Sequence, residues 1–211
     1  MENDRTAEQL REEYDRVLGP TLAPLYSALK NEVIWVHAKW KQFGILFVDS
    51  PERIDLLNQV AGFFFRMIQD VLWEDTILHL TRLTDPPRSS GRDNLTLRRL
   101  PGAISDPSLS KVIAPLVEQA CTNTSFAREW RNRHLAHQDL ALSINEPALP
   151  LPAVNRQNMD KALSAVAAVL NRIEGHYWDT EIAFTEFIVR DDAESLAYYL
   201  KIAVAAESQQ A

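Results

Sequence analysis

A chain of 211 residues with 46% hydrophobic and 24% charged residues is long and apolar enough to bury a core without disulfide or metal staples. Its net charge of −7 argues against a general nucleic-acid coat, and its single cysteine, Cys121, excludes an intramolecular disulfide. One unpaired cysteine fits a reducing, cytoplasmic setting, and six glycines among many strong helix formers favour helix over strand.

The opening MENDRTAEQLREEYDRVLG is charged throughout, unlike a signal peptide. Residues 5–18 are predicted as a first amphipathic helix, with Leu10, Tyr14, Val17 and Leu18 on one side and Gly19-Pro20 as punctuation. Residues 21–47 follow as a long helix, with Leu22, Leu25, Leu29, Val33, Val36 and Trp40 at three- and four-residue steps. Asp49-Ser50-Pro51-Glu52 marks the next start: Ser50 is suited to cap and Pro51 to the first helical position. This helix is expected to run to about Leu83, bent near Gly62. It is apolar on several sides, with Phe63, Phe64 and Phe65 assigned to the core first and to a dimer seam second. Its apolar stretches, such as VAGFFFRMIQDVLW, are broken by charge before ~18 residues, so no membrane span is expected.

Residues 84–91 are a loop by composition, and NLTLRRL is predicted as a short helix. Asp106-Pro107 opens a helix to about Cys121. Another spans 123–140, capped by Thr124 or Ser125. SINEPALPLPAV (143–154) is irregular. Residues 157–178 are expected to form a helix with Ala162, Ala165 and Ala168 on one face. A last helix spans 191–206, with Asp191 as cap and Glu194 three places on. EIAFTEFIV (181–189) reads as helix or extended chain. The sum is an all-α bundle of about six or seven helices, treated as one domain over 1–211 with a core at about 21–178 and helical extensions at both ends.

Charge is unevenly distributed. Residues 1–75 and 140–211 each carry a net −5, whereas 76–139, with nine basic and six acidic residues, carries +3. That basic stretch ends in WRNRHLAHQD (130–139), which crowds Arg131, Arg133, His134 and His137 into two turns. On an uninterrupted α-helix, Arg128 lies near Arg131, and both Arg133 and His134 lie near His137. Arg131 and His137 flank one broad face, while Trp130, Leu135 and Phe126 hold the buried side.

Such a face suits metal-free RNA cleavage. A 2′-hydroxyl attacking the adjacent phosphorus needs a base to take its proton and an acid to protonate the leaving 5′-oxygen. Histidine does either near neutral pH. Arginine meets the negative charge gathering on the non-bridging oxygens. Asn132 is placed to orient the phosphate or the histidine.

Arg131-Asn132-x-x-x-x-His137 resembles the Arg-polar-x-x-x-x-His signature of HEPN domains. Its setting, after a helix ending LHLTRLTDP and then NLTL, resembles the AbiU-type abortive-infection branch over roughly residues 50–140. The resemblance implies a helical bundle that dimerises, with two motifs meeting in a cleft. It also implies a metal-independent ribonuclease of a phage-defence or toxin–antitoxin type, acting on RNA, with no cofactor. Arg131, Asn132 and His137 take the active-site positions by that resemblance; His134, Arg133 and Arg128 are supporting candidates from the helix wheel. The rival implied by the same family is an inactive RNA- or protein-binding scaffold. An antitoxin or other regulatory protein is a further candidate partner.

Other residues read more plainly. His134 and His137 share a face, yet a stable zinc site needs a third protein ligand. His79, in ILHLTRL, is expected to be a hydrogen-bonded core or interface histidine. Arg82, Arg88, Arg92, Arg98 and Arg99 either guide RNA phosphates or are ordinary loop charges. Cys121 lacks an activating neighbour and is read as structural.

Overall fold

The structure is a computed structural model that describes residues 6–135, 151–186 and 191–209. Among these residues the regular secondary structure is helical apart from one small hairpin. The helices are α1 (Ala7–Phe47), α2 (Pro51–Thr84), α3 (Leu100–Ala103), α4 (Pro107–Asn123), α5 (Ser125–Trp130), α6 (Arg156–Tyr177) and α7 (Ala193–Ser208). The all-α expectation is met. No helix among the described residues is long and apolar enough to cross a membrane.

Local chemistry explains most boundaries. α1 is kinked at Gly19, whose φ of 78° is open to a residue without a Cβ. Pro20 then starts the second segment, where a missing N–H costs nothing. α2 begins where Ser50 Oγ accepts from the Arg53 N–H at 3.2 Å. Its bend falls at Ala61, one residue before the glycine expected to carry it. α4 begins with Asp106 accepting from the Ser108 N–H at 2.8 Å.

Several expectations need correction. Residues 88–93 are not open loop: Arg88–Ser89 (β1) and Arg92–Asp93 (β2) pair antiparallel. Ser90 and Gly91 both have positive φ, as a two-residue primed hairpin turn requires. The cap of α7 is Asp192, whose Oδ1 accepts from the Glu194 and Ser195 N–H groups at 3.0 and 3.2 Å, not Asp191. Thr124 stands at the start of α5 but does not cap it; its hydroxyl lies 2.8 Å from the Ala120 carbonyl instead. Ala168 is exposed, because six residues turn it about 120° from buried Ala162. Residues 181–186 form neither helix nor strand.

The chain divides into two compact units, one of residues 1–34 and 77–183, the other of 35–76 and 184–211. In the first, α4 and α6 pack together, burying Leu109, Ile113 and Val117 on one helix and Met159, Val166, Leu170 and Ile173 on the other. A polar knot lies in the same unit. Glu174, buried on α6, accepts from Tyr26 Oη at 2.5 Å and from Lys30 Nζ at 2.7 Å. Lys30 Nζ also donates to Tyr14 Oη at 2.6 Å. His79, expected to be a hydrogen-bonded core or interface histidine, is buried, with Nε2 2.7 Å from a Glu32 carboxylate oxygen.

In the second unit, Ile45, Leu46, Leu57, Phe65 and Ala193 form the core, with Phe47, Ala61 and Leu200 against it. Arg53 of α2 donates to the Ile45 carbonyl and forks onto both oxygens of Glu194, at 3.0 and 2.7 Å. Of the three consecutive phenylalanines only Phe65 is buried; Phe63 and Phe64 are exposed.

Candidate functional site

The candidate site is assembled at the end of α2. A helix leaves its last carbonyls without intrahelical partners, and cations are favoured there. The Thr84 carbonyl receives Arg98 Nε at 2.9 Å and Arg128 Nη2 at 3.0 Å. The Thr84 hydroxyl, fully buried, meets the Thr124 hydroxyl at 2.9 Å, which ties the end of α2 to the start of α5. Thr96 adds a second tie, its hydroxyl lying 3.0 and 2.8 Å from the carbonyls of Leu83 and Asp85.

These ties fix Asp85, the first residue after α2. Arg131 Nη1 donates to its two carboxylate oxygens at 2.8 and 2.6 Å. Arg128 Nε stands 3.7 Å from the same carboxylate. Arg131 Nε donates to Asn132 Oδ1 at 3.1 Å, so arginine and amide are oriented as a pair. Among the described residues, Arg131 Nη2 makes no hydrogen bond, and a quarter of the side chain is exposed. Among the described residues the guanidinium is thus held on one side.

The segment that carries Arg131 departs from the expected α-helix. α5 ends at Trp130, and Arg131–Leu135 is a π-helical turn. A π turn widens the backbone and re-aims its side chains, and such turns recur at functional sites. Neighbour relations drawn for an uninterrupted α-helix therefore do not carry over to residues 131–135. Asn132 and His134 are exposed, and Arg133 is half-buried. The His134 ring sits edge-on to Trp130, with centroids 5.5 Å apart. Trp130 is itself anchored, donating from Nε1 to the Pro152 carbonyl at 3.0 Å. His137 lies outside the described residues, as does Asp139.

The structure therefore brings Arg131, Asn132 and Arg128 together. It adds Asp85, Thr84 and Thr96, which the sequence reading did not single out. The available signal was an acidic residue directly after a helix end inside the one basic stretch, in LTDP. The remaining arginines sort by use. Arg99 ties down the hairpin, donating to the carbonyls of Asn94 and Pro87 and to Asp93. Arg98 is likewise spent on a carbonyl, while Arg82, Arg88 and Arg92 are exposed. Burial pushes the Cys121 thiol above its ordinary pKa, in keeping with a structural cysteine. Among the described residues, no group of three or more His, Cys, Asp or Glu is arranged to hold a metal ion.

The family model of the HEPN family AbiU2 matches residues 20–196. No curated protein and no solved structure matches the chain.

Proposed function

The chain belongs to the HEPN family AbiU2, whose model spans most of it, and from that premise we propose that it is a metal-independent endoribonuclease of a phage-defence or toxin type. Membership supports a general RNA-binding or ribonuclease role. The observation that carries the finer reading is the state of Arg131: aligned by Asp85, paired with Asn132, and with Nη2 making no hydrogen bond among the described residues. A guanidinium so held presents a fixed charge and a donor to a phosphate, with little ordering left to be done on binding.

In this reading the chain acts as a homodimer, and Arg131, Asn132 and His137 of both copies line one cleft. One His137 takes the proton from the 2′-hydroxyl as its oxygen attacks phosphorus. The other gives a proton to the departing 5′-oxygen. Arg131 meets the charge on the non-bridging oxygens. The products are a 2′,3′-cyclic phosphate and a 5′-hydroxyl. His134, Arg133 and Arg128 support the site without taking the transferred protons.

A second reading also has an observation behind it. The Asp85 carboxylate already neutralises Arg131, and a permanently paired arginine suits a scaffold that binds RNA or protein without turnover. The deciding experiment is RNA cleavage in excess EDTA by wild type, His137→Ala and Arg131→Ala, after each is shown to be folded. Cleavage by wild type, lost in both variants, with cyclic-phosphate ends, is the result expected. Bound but intact RNA favours the scaffold. Products with 3′-hydroxyl and 5′-phosphate ends overturn the proposed chemistry.

A further inference from the structure

The positive charge of the basic stretch does not sit on the segment that carries Arg131. Residues 100–139 balance four basic residues against four acidic ones, exposed Glu118 and Glu129 among the latter. The whole excess of +3 lies between Arg82 and Arg99, where five arginines face two aspartates. The fold divides these five. Arg98 and Arg99 are anchors, bound to the carbonyls of Thr84, Asn94 and Pro87. Both aspartates are engaged, Asp85 by Arg131 and Asp93 by Arg99. Arg82, Arg88 and Arg92 are exposed and form no ion pair among the described residues. Arg88 makes a long contact of 3.5 Å from Nη2 to the Gly91 carbonyl.

We infer that the β1–β2 hairpin and Arg82 form a phosphate-binding prong that seats the backbone of an RNA strand beside Arg131. The inference deepens the proposed ribonuclease and rests on its having an RNA substrate. Placement is the first support. Arg82 and Arg88 stand three residues before and after Asp85, so their Cα atoms lie within about 11 Å of its own. Asp85 in turn holds Arg131, so one short strand spans all of them. Rigidity is the second. Asn94 Nδ2 donates to the Pro86 carbonyl at 2.8 Å and to Ser89 Oγ at 2.9 Å, which closes the base of the hairpin. Thr96 binds the Asp85 carbonyl at 2.8 Å, so prong and Arg131 share one fixed reference and little ordering is left for binding. Display is the third. Arg88 lies opposite Asp93, and Ser89 opposite Arg92. Cross-strand partners share a face, so Arg88 and Arg92 leave opposite faces of the ribbon. A backbone crossing the turn meets a guanidinium from either side.

The chemistry of the prong selects a polyanion over a protein. Residues 88–94, RSSGRDN, contain no apolar side chain; exposed Pro86 and Pro87 precede them and Leu95, 41% exposed, follows. Protein interfaces are anchored by buried aromatic and aliphatic groups, and charges at their rim contribute little. A nucleic-acid backbone needs no such anchor, because each phosphate neutralised by arginine releases counterions. Contacts of this kind position a strand without reading its sequence. On a chain of net charge −7, a local prong supplies the attraction that the average charge denies.

The test is binding of a labelled 2′-O-methyl oligouridylate to the full chain over a series of salt concentrations. The methyl ether leaves no hydroxyl to attack phosphorus, so binding is read apart from cleavage. The proteins are wild type, Arg88→Gln with Arg92→Gln, Arg82→Gln, and Arg66→Gln as the control for lost charge. Arg66 is an exposed arginine of the other unit, paired with Asp70. Circular dichroism checks folding, and Arg82→Gln, on the body of α2, carries the test if the double variant misfolds. The double variant is expected to bind roughly tenfold more weakly, with a log–log salt slope shallower by roughly 1.4, two contacts at about 0.7 each. Arg82→Gln is expected to lose roughly 0.7 of slope, and Arg66→Gln to match wild type. Unchanged affinity and slope in the folded double variant, an equal loss in Arg66→Gln, or no binding by wild type overturns the assignment. Unmethylated RNA separates the two proposals. Cleavage by a double variant that binds like wild type removes the prong and leaves the chemistry. RNA held through these arginines but never cut leaves the prong and counts against the chemistry.

Discussion

Asp85 and Arg131, 46 positions apart in the chain, meet through a single guanidinium nitrogen placed 2.8 and 2.6 Å from the two carboxylate oxygens. Both side chains are largely buried, at 17% and 25% exposure, so water screens the pair only partly. Asp85 is also the shared counter-charge of Arg128. Asp85→Ala leaves two arginines without it and is expected to cost about 1–3 kcal/mol. Urea denaturation measures the loss. If Arg131 serves RNA, the same variant also loses cleavage or RNA affinity, whereas a purely structural pair loses stability alone.

The buried knot around Glu174 gives a pH prediction. Burial, and then the hydrogen bond to Glu174, push the Tyr26 phenol well above its ordinary value of 10.0. Burial alone would lower the Lys30 ammonium, but its bonds to Glu174 and Tyr14 outweigh that and raise it above 10.5. A raised folded-state pKa contributes stability that is complete below the unfolded value and is lost as pH rises towards the folded one. Stability is thus expected to fall above about pH 10, where the unfolded chain releases these protons and the folded chain keeps them. Tyr26→Phe removes a donor to a buried carboxylate, costs about 1.5–3 kcal/mol at neutral pH, and flattens the alkaline decline. Denaturation midpoints of both proteins between neutral and alkaline pH check the sign.

Adjacent aspartates before α7 make a clean pair for mutation. Asp192 receives two backbone N–H groups, so Asp192→Ala is expected to cost about 1 kcal/mol. Asp191→Ala is expected to change stability by less than about 0.5 kcal/mol, as ordinary exposed positions do. Hydrogen exchange of the Glu194 and Ser195 amides reports the effect directly. Equal effects from the two substitutions would refute the cap assignment.

Local chemistry made much of the fold legible. The break at Gly19-Pro20, the start at Ser50-Pro51 and the start at Asp106-Pro107 each depend on residues within a few positions, and each stands where the pattern put it. Misreadings arose where local signals compete. Either Asp191 or Asp192 satisfies a capping pattern, and only the backbone path selects one. Thr124 has a cap's chemistry but spends its hydroxyl on the preceding turn and on Thr84. The exposure of Phe63 beside buried Phe65 is tertiary, since apolar type alone does not say which face meets a core. At the candidate site, Arg131 and Asn132 were visible as a motif. Asp85 was not, because no spacing rule links residues that far apart. The π turn at Arg131–Leu135 likewise leaves no periodic signature.

Each compact unit is discontinuous along the chain, and the divisions fall inside α1, after Ile34, and inside α2, after Thr76. On a ribosome, Trp35–Thr76 emerges long before Phe184–Ala211, the segment that carries Ala193 and Leu200 to the core of Ile45, Leu57 and Phe65. For most of synthesis those residues wait uncovered, an exposure that favours aggregation or chaperone capture over folding in place. A shortened chain lacking α7 would prolong that interval indefinitely. Its yield in soluble form, compared with the full chain, would register how much the nascent protein depends on its final helix.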